Sequence, residues 1–448
     1  MSFDAIEYIN SPKRNISKPG LERINLLCNL LGNPQNFLKF IHVAGTNGKG
    51  SVCAYLTQIL INTGVRVGTF TSPFIWNFQE RIKVNNKQID KSFLNNITYK
   101  IKQIIDSLPP DCCPTEFEIM TAVGFMYFKQ CCCDVVVLEV GMGGKLDSTN
   151  VIPESSVLCS VITKIGIDHV NFLSNNIVNI AKEKAGIIKD NVPVVVAPQK
   201  PSVLNIIKDE ALVHNSDLHI VSEDDISIKK VNLNKIDNFN NNENINLIRE
   251  FSYKNYKSLK TKLLGIYHPI NASIAIEACE VLNKSEYFKG EFFIDKENIV
   301  DGVLQTIWPV RFEILSANPY IIIDGAHNVD GASALISSIR DVFGEIKPIF
   351  IFGILKDKEY KKIIEKISKY ASYVFTITPK NVRALDASIL ESKFKNLNVK
   401  AKACSSFNEA VKSSLVLANK TNNNLICSFG SLYTAGQIHD LFLKHLAK

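Results

Sequence analysis

No apolar run in this chain approaches the roughly 18 residues that a membrane-spanning helix needs, so no membrane association is expected. Charge is modest as well. Asp, Glu, Lys and Arg make up 21% of the residues and hydrophobic types 46%, which fits neither a charge-rich disordered chain nor a compositionally biased fibre. The opening segment MSFDAIEYINSPKRN carries Asp4 and Glu7 where a secretory leader would be basic and then apolar, so a cytoplasmic, unexported protein is expected. The eleven cysteines include no C-x-x-C pair and cluster as Cys112-Cys113 and Cys131-Cys132-Cys133. Adjacent cysteines suit neither a disulfide framework nor zinc-knuckle spacing, so reduced packing residues are expected.

Basic charge is in slight excess and thinly spread. Lys and Arg number 51 against 44 Asp and Glu, a net +7, and only Lys254 to Lys262 (KNYKSLKTK) forms a cluster. With no aromatic platform or zinc motif beside it, that cluster reads as a solvated loop face; nucleic acid is not an expected partner, and the surplus suits small anionic substrates. At 448 residues the chain is too long for one ordinary core and fits two or three domains of roughly 100 to 200 residues each.

What is abundant is alternation. FLKFIHVAG, a glycine-rich turn, the helical SVCAYLTQILINTG and the strand VRVGTFTS make a βαβ unit over 37–72, so the sheet is parallel. CDVVVLEVG (133–141), SSVLCSVITKIG (155–166) and VPVVVAPQ (192–199) are near-continuous apolar runs of the kind buried on both sheet faces. From about 232 to 262 the chain turns Asn-, Lys- and Glu-rich, which predicts a surface excursion without a core of its own. After Ile307-Trp308-Pro309 a new strand–helix alternation begins and runs to NLICSFG, predicting a second open α/β domain and a division into 1–306 and 307–448.

Chemistry concentrates where strands meet turns. Gly45-Thr46-Asn47-Gly48-Lys49-Gly50-Ser51 lies between a strand and a helix, where backbone N–H groups and the helix dipole favour a phosphate chain. Lys49 would supply charge to the β/γ-phosphates and Ser51 a hydroxyl near a metal, although Gly50 separates lysine from serine, unlike G-x-x-x-x-G-K-[ST]. Glu139 closes a buried strand before the glycine-rich GMGGKLDSTN, at the carboxyl edge where open α/β sheets bind ligands, and its anionic oxygens suit Mg²⁺. Asp168-His169 follows the next apolar strand, and Lys184 lies in the helical IAKEKAGIIK. Each of these alone is as well explained by structure; their joint placement after successive strands favours a site.

Ten ordered segments resemble the folylpolyglutamate synthase and dihydrofolate synthase family of the Mur ligase superfamily: GLER (20–23), HVAGTNGKGS (42–51), TSPFIWNFQERI (71–82), TEFEIMTA (115–122), EVGMGGKLDSTN (139–150), ITKIGIDH (162–169), EKAGIIK (183–189), WPVRFE (308–313), DGAHN (324–328) and GSLYTAG (430–436). The resemblance implies a phosphate-loop Mur-ligase-like domain with a mostly parallel sheet, then a smaller Rossmann-like α/β domain, with the active site in the cleft between them. It implies an ATP-dependent amide ligase that adds L-glutamate to dihydropteroate and to reduced folates through an acyl phosphate. Folylpolyglutamate synthase alone, or a Mur-type amino-acid ligase, is the alternative; the latter predicts an N-terminal uridine-nucleotide domain, and only about 40 residues precede the phosphate loop here.

Residue by residue, the resemblance places ATP on Gly45, Thr46, Asn47, Gly48, Lys49, Gly50, Ser51, Asn271, Arg311 and Asp324. It places Mg²⁺ on Ser72, Glu139, His169 and Lys184, the last as a carbamate made with CO₂, which turns an ammonium into an anionic oxygen ligand. Catalytic roles fall to Lys49, Lys184 and His327, with His327 near the incoming glutamate. The pterin or folate is placed against Leu21, Glu22, Arg23, Thr115, Glu116, Phe117, Glu118, Lys145, Leu146 and Asp147. Two residues depart from the family pattern: Val310 stands for the Gly or Ala of WPGR, and Lys145 for the Arg of RLDATN. A monomer is expected, with small molecules as its partners.

Overall fold

The computed structural model describes residues 3–11, 14, 19–168, 176–231, 247–289, 292–421 and 423–447. Two compact units emerge, one of residues 1–166, 176–225 and 271–305, the other of residues 167–175, 226–270 and 306–448.

The first unit is built on an eight-stranded sheet whose strands are β1 (Phe40–Ala44), β2 (Val67–Phe70), β3 (Ile82–Val84), β4 (Lys87–Gln88), β5 (Val135–Glu139), β6 (Val157–Ile162), β7 (Val194–Val196) and β8 (Leu218–Ile220), in the order β4-β3-β2-β5-β1-β6-β7-β8. The pairs from β2 through β8 are parallel. Central β1 and β5 are buried along their whole length, as their mostly apolar sequences require once helices cover both faces. Register puts Val43 beside Glu139 and Ala44 beside Ile162, so the turns after β1, β5 and β6 leave one edge together. The helix Lys49–Asn62 springs from Gly48, whose φ of 94° only glycine adopts without strain. The helix Glu116–Gln130 is started by a capping box in which Thr115 Oγ1 accepts from the Glu118 N–H and Glu118 Oε2 accepts from the Thr115 N–H.

The second unit holds a six-stranded sheet of β12 (Glu313–Ala317), β13 (Tyr320–Ile323), β14 (Ile349–Phe352), β15 (Tyr373–Thr376), β16 (Ala401–Ala403) and β17 (Leu425–Phe429), ordered β12-β13-β17-β14-β15-β16 and parallel except for β12. It also holds a three-stranded antiparallel sheet of β9 (Ile226–Ile228), β10 (Arg249–Tyr253) and β11 (Tyr256–Thr261).

That small sheet corrects the expectation of a coreless excursion. Phe251, Tyr253 and Leu259 are buried, and Arg249, fully enclosed, donates to Asp341 Oδ2 at 2.7 Å and to the Leu264 carbonyl at 2.6 Å. The lysines of KNYKSLKTK do lie exposed, alternating with the buried face. Residues 232–246 of the excursion lie outside the described residues. A second departure is the β3–β4 hairpin, which extends the parallel sheet antiparallel from β2 and follows the TSPFIWNFQER segment.

Candidate active site

The phosphate loop closes over its own carbonyl. Gly45, at φ 144°, turns the chain out of β1, and Lys49 Nζ reaches back to donate to the Gly45 carbonyl at 3.2 Å. Lys184, buried near the end of the helix Ile177–Ala185, donates to the same oxygen at 2.7 Å. Glu139, also buried, stands 4.0 Å from Lys49 Nζ and accepts the Ser72 N–H at 2.9 Å. The other side of the loop is tied to the turn after β6: the N–H groups of Thr46 and Asn47 donate to the Lys164 carbonyl at 2.9 and 3.1 Å, and the Thr46 hydroxyl donates to the Gly166 carbonyl at 3.0 Å. The Lys49 ammonium at this helix N-terminus forms a ready counter-charge for a phosphate chain.

Close approach explains two of the glycines. A Cβ on Gly48 would stand 2.6 Å from Asn271 Oδ1, so Asn271 packs directly on the loop; its Nδ2 is buried without a partner among the described residues. A Cβ on Gly144 would stand 2.5 Å from the Glu183 carbonyl, so the GMGGKLDSTN turn lies against the residues that carry Lys184. The orphaned amide and the Lys49 ammonium both fit a bound nucleotide. A buried carboxylate beside a serine fits Mg²⁺, which takes one or two protein oxygens and completes its shell with phosphate and water. No cluster of three or more His, Cys, Asp or Glu able to hold a metal occurs among the described residues. His169 lies outside the described residues.

The segments assigned to the pterin divide into framework and surface. Arg23 and Glu118 pair with each other at 3.1 Å, and Glu118 also caps its helix, so both carboxylate oxygens are engaged at home. Asp147 turns inward: its carboxylate accepts from the Met142 N–H at 2.8 Å, the Thr149 N–H at 3.0 Å and the Thr149 hydroxyl at 2.6 Å. Burial pushes its carboxyl up, and those three bonds hold it down. The Thr149 hydroxyl also meets His42 Nε2 at 2.9 Å, where burial drives the imidazole down to about 3 and keeps it neutral. Glu22, Lys145 and Leu146 are exposed, Leu21, Glu116 and Phe117 are half-buried, and the Phe117 ring stands edge-on to Phe70 at 5.9 Å.

In the second unit Asp324 follows β13 and is nearly enclosed. Oδ2 accepts from the Tyr267 hydroxyl at 2.9 Å and the Phe312 N–H at 2.8 Å, and Oδ1 accepts from the Ala326 N–H at 2.7 Å. Burial raises its carboxyl, while the Arg311 guanidinium and those bonds oppose the rise. Arg311 is flanked by Val310 and Phe312, both buried and both at φ 53°, a left-handed conformation costly for bulky side chains. Pro269 sits in the first turn of the helix His268–Leu282, where its missing N–H costs little. His327 Nδ1 lies 2.8 Å from the Gly325 carbonyl and Nε2 lies 3.3 Å from Asp168 Oδ2.

Asp168, singled out in the sequence together with His169 but given no role by the resemblance, is a hub of side-chain contacts. Besides His327 it takes the Asn328 side-chain amide at 3.2 Å and the Lys358 ammonium. Lys358 and Tyr267 had no motif to announce them; only the fold brings them to DGAHN.

A glycine turn from a central parallel strand into a helix N-terminus, backed by converging lysines and a buried carboxylate, defines a nucleotide-phosphate-binding α/β enzyme. The description "Mur ligase middle domain" matches residues 43–279, and "Mur ligase, glutamate ligase domain" matches residues 310–432. The chain is 34% identical to a dihydrofolate synthase/folylpolyglutamate synthase of Bacillus subtilis over 442 residues, 97% of each chain, and 34% identical to a folylpolyglutamate synthase of Lacticaseibacillus casei over 449 residues, 98% of each. The Mycobacterium tuberculosis folylpolyglutamate synthase solved with ADP and AMPPCP superposes with a TM-score of 0.83 at 27% identity, covering 95% of each chain. The chain therefore belongs to the dihydrofolate synthase/folylpolyglutamate synthase family of Mur ligases. It is an ATP-dependent ligase, and its fold is the family's, with mostly parallel sheets and helices in both parts. No helix of the described residues is long and apolar enough to cross a membrane.

Proposed function

We propose that this enzyme joins L-glutamate both to dihydropteroate and to reduced folates, at the expense of ATP. The observation that carries the reading is the convergence of Lys49 and Lys184 on the Gly45 carbonyl beside Glu139. A carboxylate oxygen of the pteroate or folate attacks the γ-phosphorus and ADP leaves. The glutamate amine then attacks the acyl carbon of the resulting acyl phosphate, loses a proton and expels phosphate. Gly45 to Ser51 and Asn271 hold the phosphates, Arg311 and Asp324 the rest of the nucleotide, and His327 lies near the entering glutamate. The chain's own contribution is placement and charge: Lys49 stands where negative charge shifts from γ-phosphate to leaving oxygen. Ser72, Glu139, His169 and carbamylated Lys184 would hold Mg²⁺, whose charge would offset that of the phosphoryl group. Excluding water protects the acyl phosphate from hydrolysis.

The Lys184 carbamate forms when its neutral amine attacks CO₂ and releases a proton. Protein equilibrated with ¹³C-bicarbonate should give a carbamate carbonyl resonance that Lys184→Ala lacks; its absence from wild type would leave Lys184 as the ammonium that donates to Gly45. For the pterin end, the segments Leu21 to Arg23, Thr115 to Glu118 and Lys145 to Asp147 would meet the substrate through Leu21, Glu22, Glu116, Phe117, Lys145 and Leu146, with Thr115, Arg23, Glu118 and Asp147 holding those segments in shape. Equal 34% identity to a relative named for both activities and to one named for elongation alone leaves the choice to chemistry. With ATP, Mg²⁺ and glutamate, purified enzyme should convert dihydropteroate to dihydrofolate and also extend tetrahydrofolate. Extension of tetrahydrofolate alone would leave the ligase and remove the synthase half.

A further inference from the structure

Tyr267 belongs to no motif that the proposed mechanism uses, yet it is built into the Asp324 site from three directions. The segment that carries it is pinned by the buried Arg249, which donates to the Leu264 carbonyl at 2.6 Å, and by the Ile266 N–H, which donates to Ser338 Oγ at 3.1 Å. Its ring lies on His268, centroids 4.4 Å apart, and it passes so close to Gly265 that a Cβ there would stand 2.8 Å from Tyr267 Cε1. Its hydroxyl then donates to Asp324 Oδ2 at 2.9 Å.

An ionised carboxylate accepts at about four lone-pair positions. On Asp324 the Tyr267 hydroxyl and the Phe312 N–H fill Oδ2, and the Ala326 N–H takes one position on Oδ1. Among the described residues, one position on Oδ1 remains. The Phe312 N–H is part of the left-handed turn at Val310 and Phe312 that presents Arg311, and strain of that kind persists only where neighbouring bonds over-determine it. Fixing Oδ2 therefore fixes both the free acceptor and the arginine.

We propose that Tyr267 is a positioning residue for nucleotide recognition, holding Asp324 so that Oδ1 accepts a hydrogen bond from the nucleoside of ATP. The inference rests on the reading of Asp324 and Arg311 as nucleotide contacts. A carboxylate can only accept, and the nucleoside offers three donors: the 2′-hydroxyl, the 3′-hydroxyl and the 6-amino group.

The test is Tyr267→Phe in the full chain, which keeps the ring and removes the hydroxyl. Initial rates are measured with ATP, 2′-deoxyATP, 3′-deoxyATP and ITP, together with calorimetric binding of each nucleotide and the melting temperature. Wild type should bind one analogue more weakly than ATP, which names the donor. In Tyr267→Phe the KM and Kd for ATP should rise about tenfold, the scale of a hydrogen bond to a charged group, with kcat within about twofold and that discrimination largely erased. Unchanged ATP affinity, a wild type that treats all four nucleotides alike, or a variant that weakens all four equally would overturn the proposal. Wild type that binds ATP but turns over no folate would fail the ligase reading instead, and the binding comparison would still decide the role of Tyr267.

Discussion

Lys49→Ala is expected to lower kcat by at least about 100-fold, the scale of losing one preorganised electrostatic contact to a developing charge. Lys49 follows Gly48 at the first position of its helix, where its ammonium shares the Gly45 carbonyl with Lys184 and stands 4.0 Å from Glu139. Removing it deletes one cation of a site that must hold a polyphosphate and leaves the Glu139 carboxylate facing that phosphate with less compensation. The fold should survive, because Lys49 lies at a helix start and is a polar side chain outside the apolar core. Steady-state rates with ATP, a reduced folate and glutamate check the prediction, with circular dichroism to verify folding. A folded variant that turns over within about threefold of wild type would contradict the role given to the phosphate loop.

Asp341→Ala should destabilise the protein by about 3 kcal/mol, the lower end of the cost of stranding a buried charge. Arg249 is fully enclosed, and Asp341 is its carboxylate partner at 2.7 Å. Its Nε keeps the Leu264 carbonyl, which tempers the loss. Replacing both partners, as Arg249→Met with Asp341→Leu, should cost markedly less, since no unpaired charge is then left inside. Urea unfolding of the two variants measures the difference; a single variant as stable as wild type would show that the pair contributes nothing.

Legibility followed the local signal. The Val-rich runs of β5 and β7 and the glycine turn after β1 declare themselves in sequence because each is continuous, and the phosphate loop and Glu139 come with them. The sheet of β9, β10 and β11 did not. Its buried Phe251, Tyr253 and Leu259 alternate with polar residues such as Ser252 and the exposed Lys260, and next to an Asn-rich stretch the average composition drowned that two-residue period. The β3–β4 hairpin was missed because β4 has only two residues, too few for any pattern. The contacts of Asp324 and Asp168 were hidden for a different reason: Tyr267, Asn328 and Lys358 reach them by side chain across the fold, up to 190 residues away in sequence.

The central claim, that ATP hydrolysis is coupled to forming an amide with glutamate, is tested most directly by measuring ADP release and radiolabelled glutamate incorporation in the same reaction with tetrahydrofolate and Mg²⁺. The account predicts one ADP for each glutamate joined, and no sustained ADP release when the folate is omitted. Sustained ADP release with no glutamate incorporated, or incorporation without ADP, would contradict it.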